Sequence, residues 1–327
     1  MKILITGGAG YIGSITATKL ILKGHDVIVL DNLEKGHKKT LDKIMRVAGE
    51  FEFIKVDLRE KEKLELAISE VFFDAVIHFA AYIEIGRSVQ QPEVFMRNNF
   101  GGTKNLLEVL EKKGVKKFLF SSTAAVYGHP EKVPIPETAH LDPINPYGES
   151  KVRVEKLLQE YADKGKMDSI RLRYFNPAGS YEGRIGELHE PETHLIPLIL
   201  KAGKGERDKL FIFGDDYETK DGTAIRDYIH IMDLVDAHIA ALDYLLKKHG
   251  SDVFNVGTGT GHTVKEVFET AKQVTGLEIP YEITERREGD SPELVADPAK
   301  INAVLKWRAQ YNLNDILQSA WDFERQL

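Results

Sequence analysis

The sequence predicts an α/β protein built on a doubly wound parallel sheet, followed by a smaller α/β lobe. Three observations carry this reading. Short, nearly continuous apolar runs alternate with longer segments of helical periodicity through the first half of the chain. A glycine-rich turn separates the first run from the first helical segment. After about Asn176 the alternation stops, and Gly, Pro, Glu and His become frequent through Glu192.

In chain order, residues 2–6, 27–30, 53–56, 75–79, 117–121 and 170–174 are strand candidates. Several are apolar throughout, as strands covered on both faces must be. Residues 11–23, 61–70, 93–112 and 147–161 carry helical patterns between them. Strand and helix alternating in this way require a parallel sheet with right-handed crossovers. Further on, 210–213 is a short strand, 233–247 an amphipathic helix and 253–256 a buried strand. The chain of 327 residues exceeds the size of a single core. The expected division is 1–175 as the sheet domain, with 224–256 returning to it. Residues 176–223 and 257–327 then form the smaller lobe.

Composition excludes several function classes. A formal net charge of −7 does not suit general binding to nucleic acid or anionic membrane. The chain has no cysteine, so disulfides, cysteine nucleophiles and thiolate metal sites are excluded. No apolar run is long enough to cross a bilayer, and strand-like residues begin at Lys2 with no secretory pattern before them. A cytoplasmic protein is expected.

Thr6-Gly7-Gly8-Ala9-Gly10-Tyr11-Ile12-Gly13 follows the first strand. Gly8, Gly10 and Gly13 satisfy G-x-G-x-x-G, and Gly7, Gly10 and Gly13 give a G-x-x-G-x-x-G spacing. Glycine allows the tight turn and the close approach of backbone to a pyrophosphate, and the next helix offers unpaired N–H groups. A lone triplet suits any tight turn, but here it opens the first strand–helix unit. Asp31 ends the second strand, where a carboxylate can accept both hydroxyls of an adenosine ribose and repel a 2′-phosphate. The unit therefore predicts NAD. Asp57 follows the third strand and reads either as an adenine-edge contact or as a helix cap. Phe79, Ala80 and Ala81 end the fourth strand, where small residues let backbone approach the cofactor.

Tyr147 and Lys151 are four residues apart at a helix start and share a face. Thr123 closes the strand before them, at the sheet end where α/β proteins bind ligands. A hydroxyl with Tyr-x-x-x-Lys suits proton transfer coupled to hydride chemistry. Tyrosine titrates near pH 10, too high for a base near neutrality. A nearby ammonium and a positive nicotinamide ring both favour the phenolate.

With these residues in place, the chain closely resembles the UDP-glucose 4-epimerase (UDP-galactose 4-epimerase) family of extended short-chain dehydrogenases/reductases. The likeness covers nearly the whole chain. It is carried by Gly-Gly-Ala-Gly-Tyr-Ile-Gly-Ser at 7–14, Leu-Asp-Asn-Leu at 30–33, Ile-His-Phe-Ala-Ala at 77–81 and Ser-Ser-Thr-Ala-Ala-Val-Tyr-Gly at 121–128. Asn-Pro-Tyr-Gly-Glu-Ser-Lys at 145–151 and Leu-Arg-Tyr-Phe-Asn-Pro at 172–177 continue it. Asp-Gly-Thr-Ala-Ile-Arg-Asp-Tyr-Ile-His at 221–230 and Arg-Arg-Glu-Gly-Asp at 286–290 are the most specific.

The resemblance implies a Rossmann-like fold and a UDP-sugar substrate. Tyr147 would take the proton of the sugar 4-hydroxyl while C4 gives hydride to NAD, and the 4-keto sugar would turn and recover it on its other face. Thr123 would align the hydroxyl, and Lys151 would tune Tyr147 and hold the nicotinamide ribose. The implied cofactor contacts are Gly7, Gly10, Tyr11, Ile12, Gly13, Asp31, Asn32, Asp57, Leu58, Phe79, Ala80, Ala81, Asn98, Ser121, Tyr147, Lys151 and Tyr174. Those on the substrate side are Thr123, Phe175, Asn176, His194, Leu195, Phe213, Arg226, Tyr228, Arg287 and Asp290. Arg226 and Arg287 match diphosphate contacts, Asp290 a uridine-ribose contact and Phe213 the uracil-binding strand.

Three positions depart from the pattern. Ile83 stands where some members carry Lys, His194 where some carry Asn, and Leu294 lies near the position that admits or excludes N-acetylated sugars. His189-Glu190-Pro191-Glu192-Thr193-His194 misses the H-E-x-x-H spacing, and Pro191 breaks helical periodicity, so it reads as a loop and no metal is expected. The competing functions are a related nucleotide-sugar enzyme (an N-acetylhexosamine or uronate epimerase, or a dehydratase) and a non-catalytic NAD-binding regulator. Ala124 and Ala125 stand where dehydratases place an acid/base pair. The resemblance further implies a homodimer, for which 93–112 and 152–161 offer apolar stripes that sheet packing explains equally well.

Overall fold

The computed structural model describes residues 1–247, 250–287 and 290–327. Glu288 and Gly289 of the stretch at 286–290 lie outside the described residues. In chain order the elements begin β1 (Lys2–Thr6), α1 (Tyr11–Leu22), β2 (Asp26–Asp31), α2 (Lys38–Ala48), β3 (Glu52–Lys55), α3 (Lys61–Ala67) and β4 (Ala75–His78). They continue α4 (Ile85–Gln90), α5 (Pro92–Phe95), a π-helical turn (Met96–Gly101), α6 (Gly102–Lys112), β5 (Lys117–Thr123), α7 (Pro146–Asp163) and β6 (Asp168–Tyr174). Next come β7 (Asn176–Ala178), β8 (Ser180–Tyr181), β9 (Ile185–Gly186), α8 (Leu195–Gly203), β10 (Leu210–Phe213), β11 (Ile225–His230), α9 (Ile231–Lys247) and β12 (Asp252–Val256). The last are β13 (Gly261–Thr263), α10 (Val264–Thr275), β14 (Tyr281–Thr284), β15 (Glu293–Leu294), α11 (Ala299–Leu305) and α12 (Leu313–Glu324).

Two compact units divide the chain. The first holds Met1–Gly128, Leu141–Arg173 and Val235–Phe254. Its seven-stranded sheet runs β12-β6-β5-β4-β1-β2-β3, the α/β arrangement that the sequence predicts. β1 pairs in parallel with both β2 and β4, so the chain's winding reverses beside β1. Strands β1 and β4 are buried almost throughout. On one face of the sheet, Leu106, Leu107 and Leu110 of α6 and Val154, Leu158 and Tyr161 of α7 join one core with Leu4, Ile28, Val76 and Phe118. The apolar stripes weighed as dimer surfaces are thus packed within this unit. The helix expected over 93–112 is present but passes through the π-helical turn, and α2 and α4 have no counterpart among the predicted helices. In α2 only Thr40, Leu41 and Ile44 are buried, which leaves a weak apolar signal.

The second unit holds His129–His140, Tyr174–Leu234 and Asn255–Leu327. β11 pairs with β7, β13 and β15, so the return to the large sheet begins at Val235 instead of the expected 224. The excursion of 129–140 has a physical reason too. The Ile135 carbonyl accepts from Asn255 Nδ2 at 2.7 Å, and Glu137 Oε1 accepts from Asn255 N at 2.8 Å. Asp227 is fully buried and accepts from Thr258 N, Thr258 Oγ1, Gly259 N and Ala296 N, tying β11 to two later loops. Among the described residues no helix is long and apolar enough to cross a membrane.

His78, at the end of β4, is buried between Thr6 Oγ1 at 2.6 Å and Thr103 Oγ1 at 2.8 Å. Burial pushes its imidazole down to about 3, and the Lys151 charge acts in the same direction. Between that value and the ordinary 6.5, the unfolded chain binds a proton that the folded chain does not. Stability must therefore fall as pH drops through this window, by about 1.4 kcal/mol per pH unit from this one group. Urea unfolding of His78→Asn between pH 6.5 and 4.5 is expected to show a shallower loss of stability than the parent, whatever its stability at pH 7.

Candidate active site

Apart from Asn98, in the π-helical turn, the candidates of the first unit lie towards or beyond the carboxyl end of a strand or on the helix that follows. The glycine turn is locked by Gly7 N donating to Leu30 O at 2.8 Å and Gly10 N to Gly7 O at 3.1 Å. Gly7 has φ +72°, and a Cβ there would lie 2.6 Å from Ala80 N. A Cβ on Gly13 would lie 2.4 Å from Gly7 O. Both positions therefore exclude any side chain, and the loop of β1 meets the half-buried Phe79-Ala80-Ala81 beside the reversal of winding. Gly10 stands at the N-cap of α1 and no side chain caps the helix, which leaves its start open to a ligand such as a phosphate.

Asp31 is buried and accepts from Ala9 N at 3.1 Å and Leu33 N at 2.8 Å. Burial raises its carboxyl, and the backbone donors and the His37 charge partly offset that. Gly36 closes over it, 2.9 Å from a hypothetical Cβ to Asp31 Oδ1. Asp57 does not cap α3, whose N-cap is Glu60. Arg59 chelates it instead, and Asn32 Nδ2 donates to it at 2.9 Å. The Arg59 guanidinium holds Asp57 down to about 2 against its burial. Arg59 also reaches Glu34 at 2.6 Å and the Tyr82 hydroxyl at 3.0 Å. Sequence reasoning missed Arg59, although a charged residue two positions after a strand-end acid was the available signal. Leu58 is buried and its carbonyl accepts from Asn105 Nδ2.

Thr123 ends β5, and its Oγ1 accepts from Ala125 N at 3.2 Å. Asn145 caps α7 through Gly148 N at 2.9 Å, and Pro146 sets its first turn. Tyr147 and Lys151 follow on the buried face. Asn99, in the π-helical turn beside the candidate Asn98, binds Tyr82 N and O and donates to Ser150 Oγ, which fixes that turn to α7. Tyr82, Phe95 and Tyr147 form a small apolar cluster that Ile83 and Ala125 flank.

Burial pushes the Tyr147 phenol up to about 12, and the Thr123 hydroxyl bonded to it pulls the other way. Burial pulls Lys151 down to about 7, and Glu155 opposes this. Lys151 Nζ donates to Ser121 O at 2.8 Å and lies 5.9 Å from the Tyr147 ring centre. Lys151 is not among the groups that shift Tyr147 here, and its Nζ is directed at the Ser121 carbonyl.

One helical turn beyond Lys151, Glu155 receives Arg173 Nη2 at 2.5 Å and Nε at 3.0 Å, and Ser122 Oγ at 2.5 Å. Arg173 Nη1 also donates to the Tyr127 hydroxyl at 3.0 Å. Both partners of this ion pair are buried. Sequence reasoning missed it. Its signals were Arg173 inside an apolar strand and Glu155 on the helical face of Tyr147 and Lys151.

In the second unit, Tyr174 and the buried Phe175 lead into Asn176, which pairs with Tyr228 across β7 and β11. Burial pushes Tyr228 up to about 12. Arg226 and Arg287 converge on Asp290, at 3.5 and 3.0 Å. Arg226 also donates to Ser291 O at 2.8 Å. The Arg287 guanidinium lies 4.7 Å from the Phe213 ring centre, and Phe213 is 38% exposed at the end of β10. Two guanidiniums, one carboxylate and an exposed ring thus share one surface, suited to a phosphate and a flat base. Leu294 pairs with Arg226 in the β11–β15 register. His194 caps α8, whose first residue is Leu195. Its imidazole faces Glu187 at 2.8 Å and Glu192 at 3.1 Å.

A family model described as GDP-mannose 4,6 dehydratase matches residues 4–320. A UDP-glucose 4-epimerase of Rhizobium leguminosarum bv. trifolii is 47% identical, over 98% of this chain and 96% of that protein. The crystal structure of UDP-glucose 4-epimerase from Bifidobacterium longum in complex with NAD+ and UDP is 37% identical with a TM-score of 0.96, over 100% of this chain and 98% of that one. The UDP-Glc/GlcNAc 4-epimerase of Campylobacter jejuni is 44% identical with a TM-score of 0.87, over 100% and 99% of the two chains.

Breaking the buried ion pair from one side leaves an uncompensated charge. Glu155→Gln is expected to lower stability by about 3–5 kcal/mol in urea unfolding. Glu155→Leu combined with Arg173→Met, which removes both charges, is expected to recover most of that loss.

Proposed function

This chain belongs to the UDP-glucose 4-epimerase family of extended short-chain dehydrogenases/reductases, and from that premise we propose that it interconverts UDP-galactose and UDP-glucose with NAD held throughout. The single observation that carries the mechanism is the buried Tyr147 phenol bonded to Thr123, with Lys151 anchored on Ser121 of the same strand end.

The glycine turn fits a dinucleotide, since Gly7 and Gly13 leave no room for a Cβ and the start of α1 carries no side-chain cap. Residues 7–13 would hold the pyrophosphate, Asp31 the adenosine ribose, and Asn32, Asp57 and Leu58 the adenine end. Phe79, Ala80, Ala81, Asn98, Ser121 and Tyr174 would complete the contacts. Bound NAD supplies a reversible hydride acceptor and a positive ring, so the sugar carbon is oxidised and reduced with no net redox change.

With its phenolate favoured by the positive ring that bound NAD would supply, Tyr147 Oη would take the proton of the sugar 4-hydroxyl and later return it. Thr123 Oγ1 holds the phenol and the sugar hydroxyl in line. Lys151, near 7 by burial, gives Tyr147 a neighbour whose charge answers to what is bound. Arg226 and Arg287 bind the diphosphate, Asp290 the uridine ribose and Phe213 the uracil, with Phe175, Asn176, His194, Leu195 and Tyr228 beside them. Ala124 and Ala125 have no proton to give, which disfavours the dehydration that the family model's description names. A homodimer and a cytoplasmic location belong to the same proposal, on family resemblance.

The test is an NMR time course of UDP-galactose with the purified protein. Conversion to a UDP-glucose mixture without accumulating NADH is expected, and no conversion with NAD bound would sink the proposal. Tyr147→Phe is expected to lower kcat by about 10²–10⁴-fold while NAD stays bound. Unchanged turnover in that variant would remove Tyr147 from the chemistry. The same assay with UDP-N-acetylglucosamine tests a wider sugar range, which the relative from Campylobacter jejuni suggests.

A further inference from the structure

The loop between β9 and α8 gathers side chains that the epimerase mechanism does not account for. Glu187, His189, Glu192 and His194 bring one ligand atom each to within 4.8 Å of one another. His189 Nδ1 lies 3.0 Å from Glu187 Oε1, and His194 Nδ1 lies 2.8 Å from the same oxygen. His194 Nδ1 is 3.1 Å from Glu192 Oε1, and His189 Nδ1 is 3.9 Å from Glu192 Oε2. The two imidazoles and two carboxylates therefore form one contiguous cluster. We propose that Glu187, His189, Glu192 and His194 form a closed four-ligand site for a divalent transition metal, zinc in the first place.

The geometry suits that ion. Nitrogen and oxygen ligands about 2.0–2.2 Å from a tetrahedral zinc lie roughly 3.3–3.6 Å from each other. Three of the four separations are shorter than this range, at 2.8–3.1 Å, and one is longer, at 3.9 Å, so the side chains must part by a few tenths of an ångström to admit the ion. The donor set suits it too. Imidazole selects zinc and its neighbours over magnesium and calcium, which take oxygen shells. Charge gives a second reason. The Glu187 and Glu192 side chains are 8% and 4% exposed. Two buried carboxylates side by side are met here by the two imidazoles, and a divalent ion bound in place of the imidazole protons keeps a cationic partner for both. Glu192 is also pre-oriented, because Thr193 N and His194 N donate to its Oε1 at 2.7 and 2.8 Å.

The spacing that fails H-E-x-x-H is no obstacle, since the ligands come from a loop and not from one helical face. Such an ion clasps residues 187–194 and the start of α8. It holds His194 by Nδ1 and leaves Nε2 as the nitrogen available to other partners. Its role is to position His194 and Leu195, not to touch reacting atoms.

The experiment uses the full-length holoenzyme, purified without a metal-affinity tag and stripped with dipicolinate. Zinc chloride is added, excess is removed by desalting, and bound metal is counted by mass spectrometry. About one zinc per chain is expected, with a rise in Tm of roughly 3–6 °C at saturating zinc. His189→Ala and Glu187→Gln are expected to bind zinc at least about 10-fold more weakly and to lose the Tm rise. Circular dichroism and retained NAD establish that each variant is folded. Cobalt(II) chloride added to the stripped parent protein tests ligation without any variant, and the visible absorption of a four-coordinate ion is expected. Less than about a tenth of an equivalent of zinc on the parent protein overturns the site. So does an unchanged zinc content and Tm rise in the folded variants, or a six-coordinate cobalt spectrum.

Discussion

The close approach of two backbones beside β1 is the constraint on which the cofactor half of the molecule depends. Gly7 sits against Ala80 with no room for a methyl group between them. Nothing larger fits because β1 and β4 are parallel neighbours, so the loop leaving β1 runs beside the Phe79–Ala80 backbone that leaves β4. Gly13 meets the same restriction one helical turn later, against the Gly7 carbonyl. The tight loop brings the start of α1, which carries no side-chain cap, beside this approach, and a helix start of this kind suits a pyrophosphate. Asp31 is then held beside this loop by Ala9 N, so the acid proposed for the ribose is placed by the loop proposed for the phosphates.

The second theme is charge kept inside the first unit. Lys151, His78, Glu155 and Arg173 are all buried, and each has a different solution. His78 is neutral between two threonine hydroxyls. Glu155 and Arg173 neutralise one another in a bidentate pair to which Ser122 and Tyr127 contribute further hydrogen bonds. Lys151 has a carbonyl, a ring face at 4.9 Å and the more distant Glu155 charge. Of these, Lys151 is the group left nearest its titration point at neutral pH. That is the condition a site needs if binding is to change the protonation of a neighbouring phenol. The apolar cluster of Tyr82 and Phe95 keeps that phenol dry, and Thr123 gives it direction.

The second unit solves a different problem with the same means. Asp227 gathers three backbone amides and a hydroxyl to fix β11, and Asp290 gathers two guanidiniums at the end of the neighbouring loop. In each case a carboxylate organises segments that are distant in sequence. The cluster around Glu187 extends the pattern to histidines, with Glu187 and Glu192 each beside both imidazoles.

The sequence by itself determined the sheet, its parallel winding and the residues of the cofactor turn. These are properties of local periodicity and of glycine, which need no distant partner to be read. Tyr147, Lys151 and Thr123 were legible for the same reason, being set by helical spacing and a strand end. Only the tertiary structure decided which charges meet. Arg59 on Asp57, Arg173 on Glu155 and Asn99 on Ser150 are pairs separated by up to 51 residues or joined through a side-chain geometry that no periodicity encodes. It also decided that 129–140 leaves the sheet unit and that β11 stays in the second, because backbone pairing with distant strands outweighs local pattern. The direction of the Tyr147 shift belongs to it as well, since desolvation depends on everything that surrounds a group and not on the residue four places along the helix.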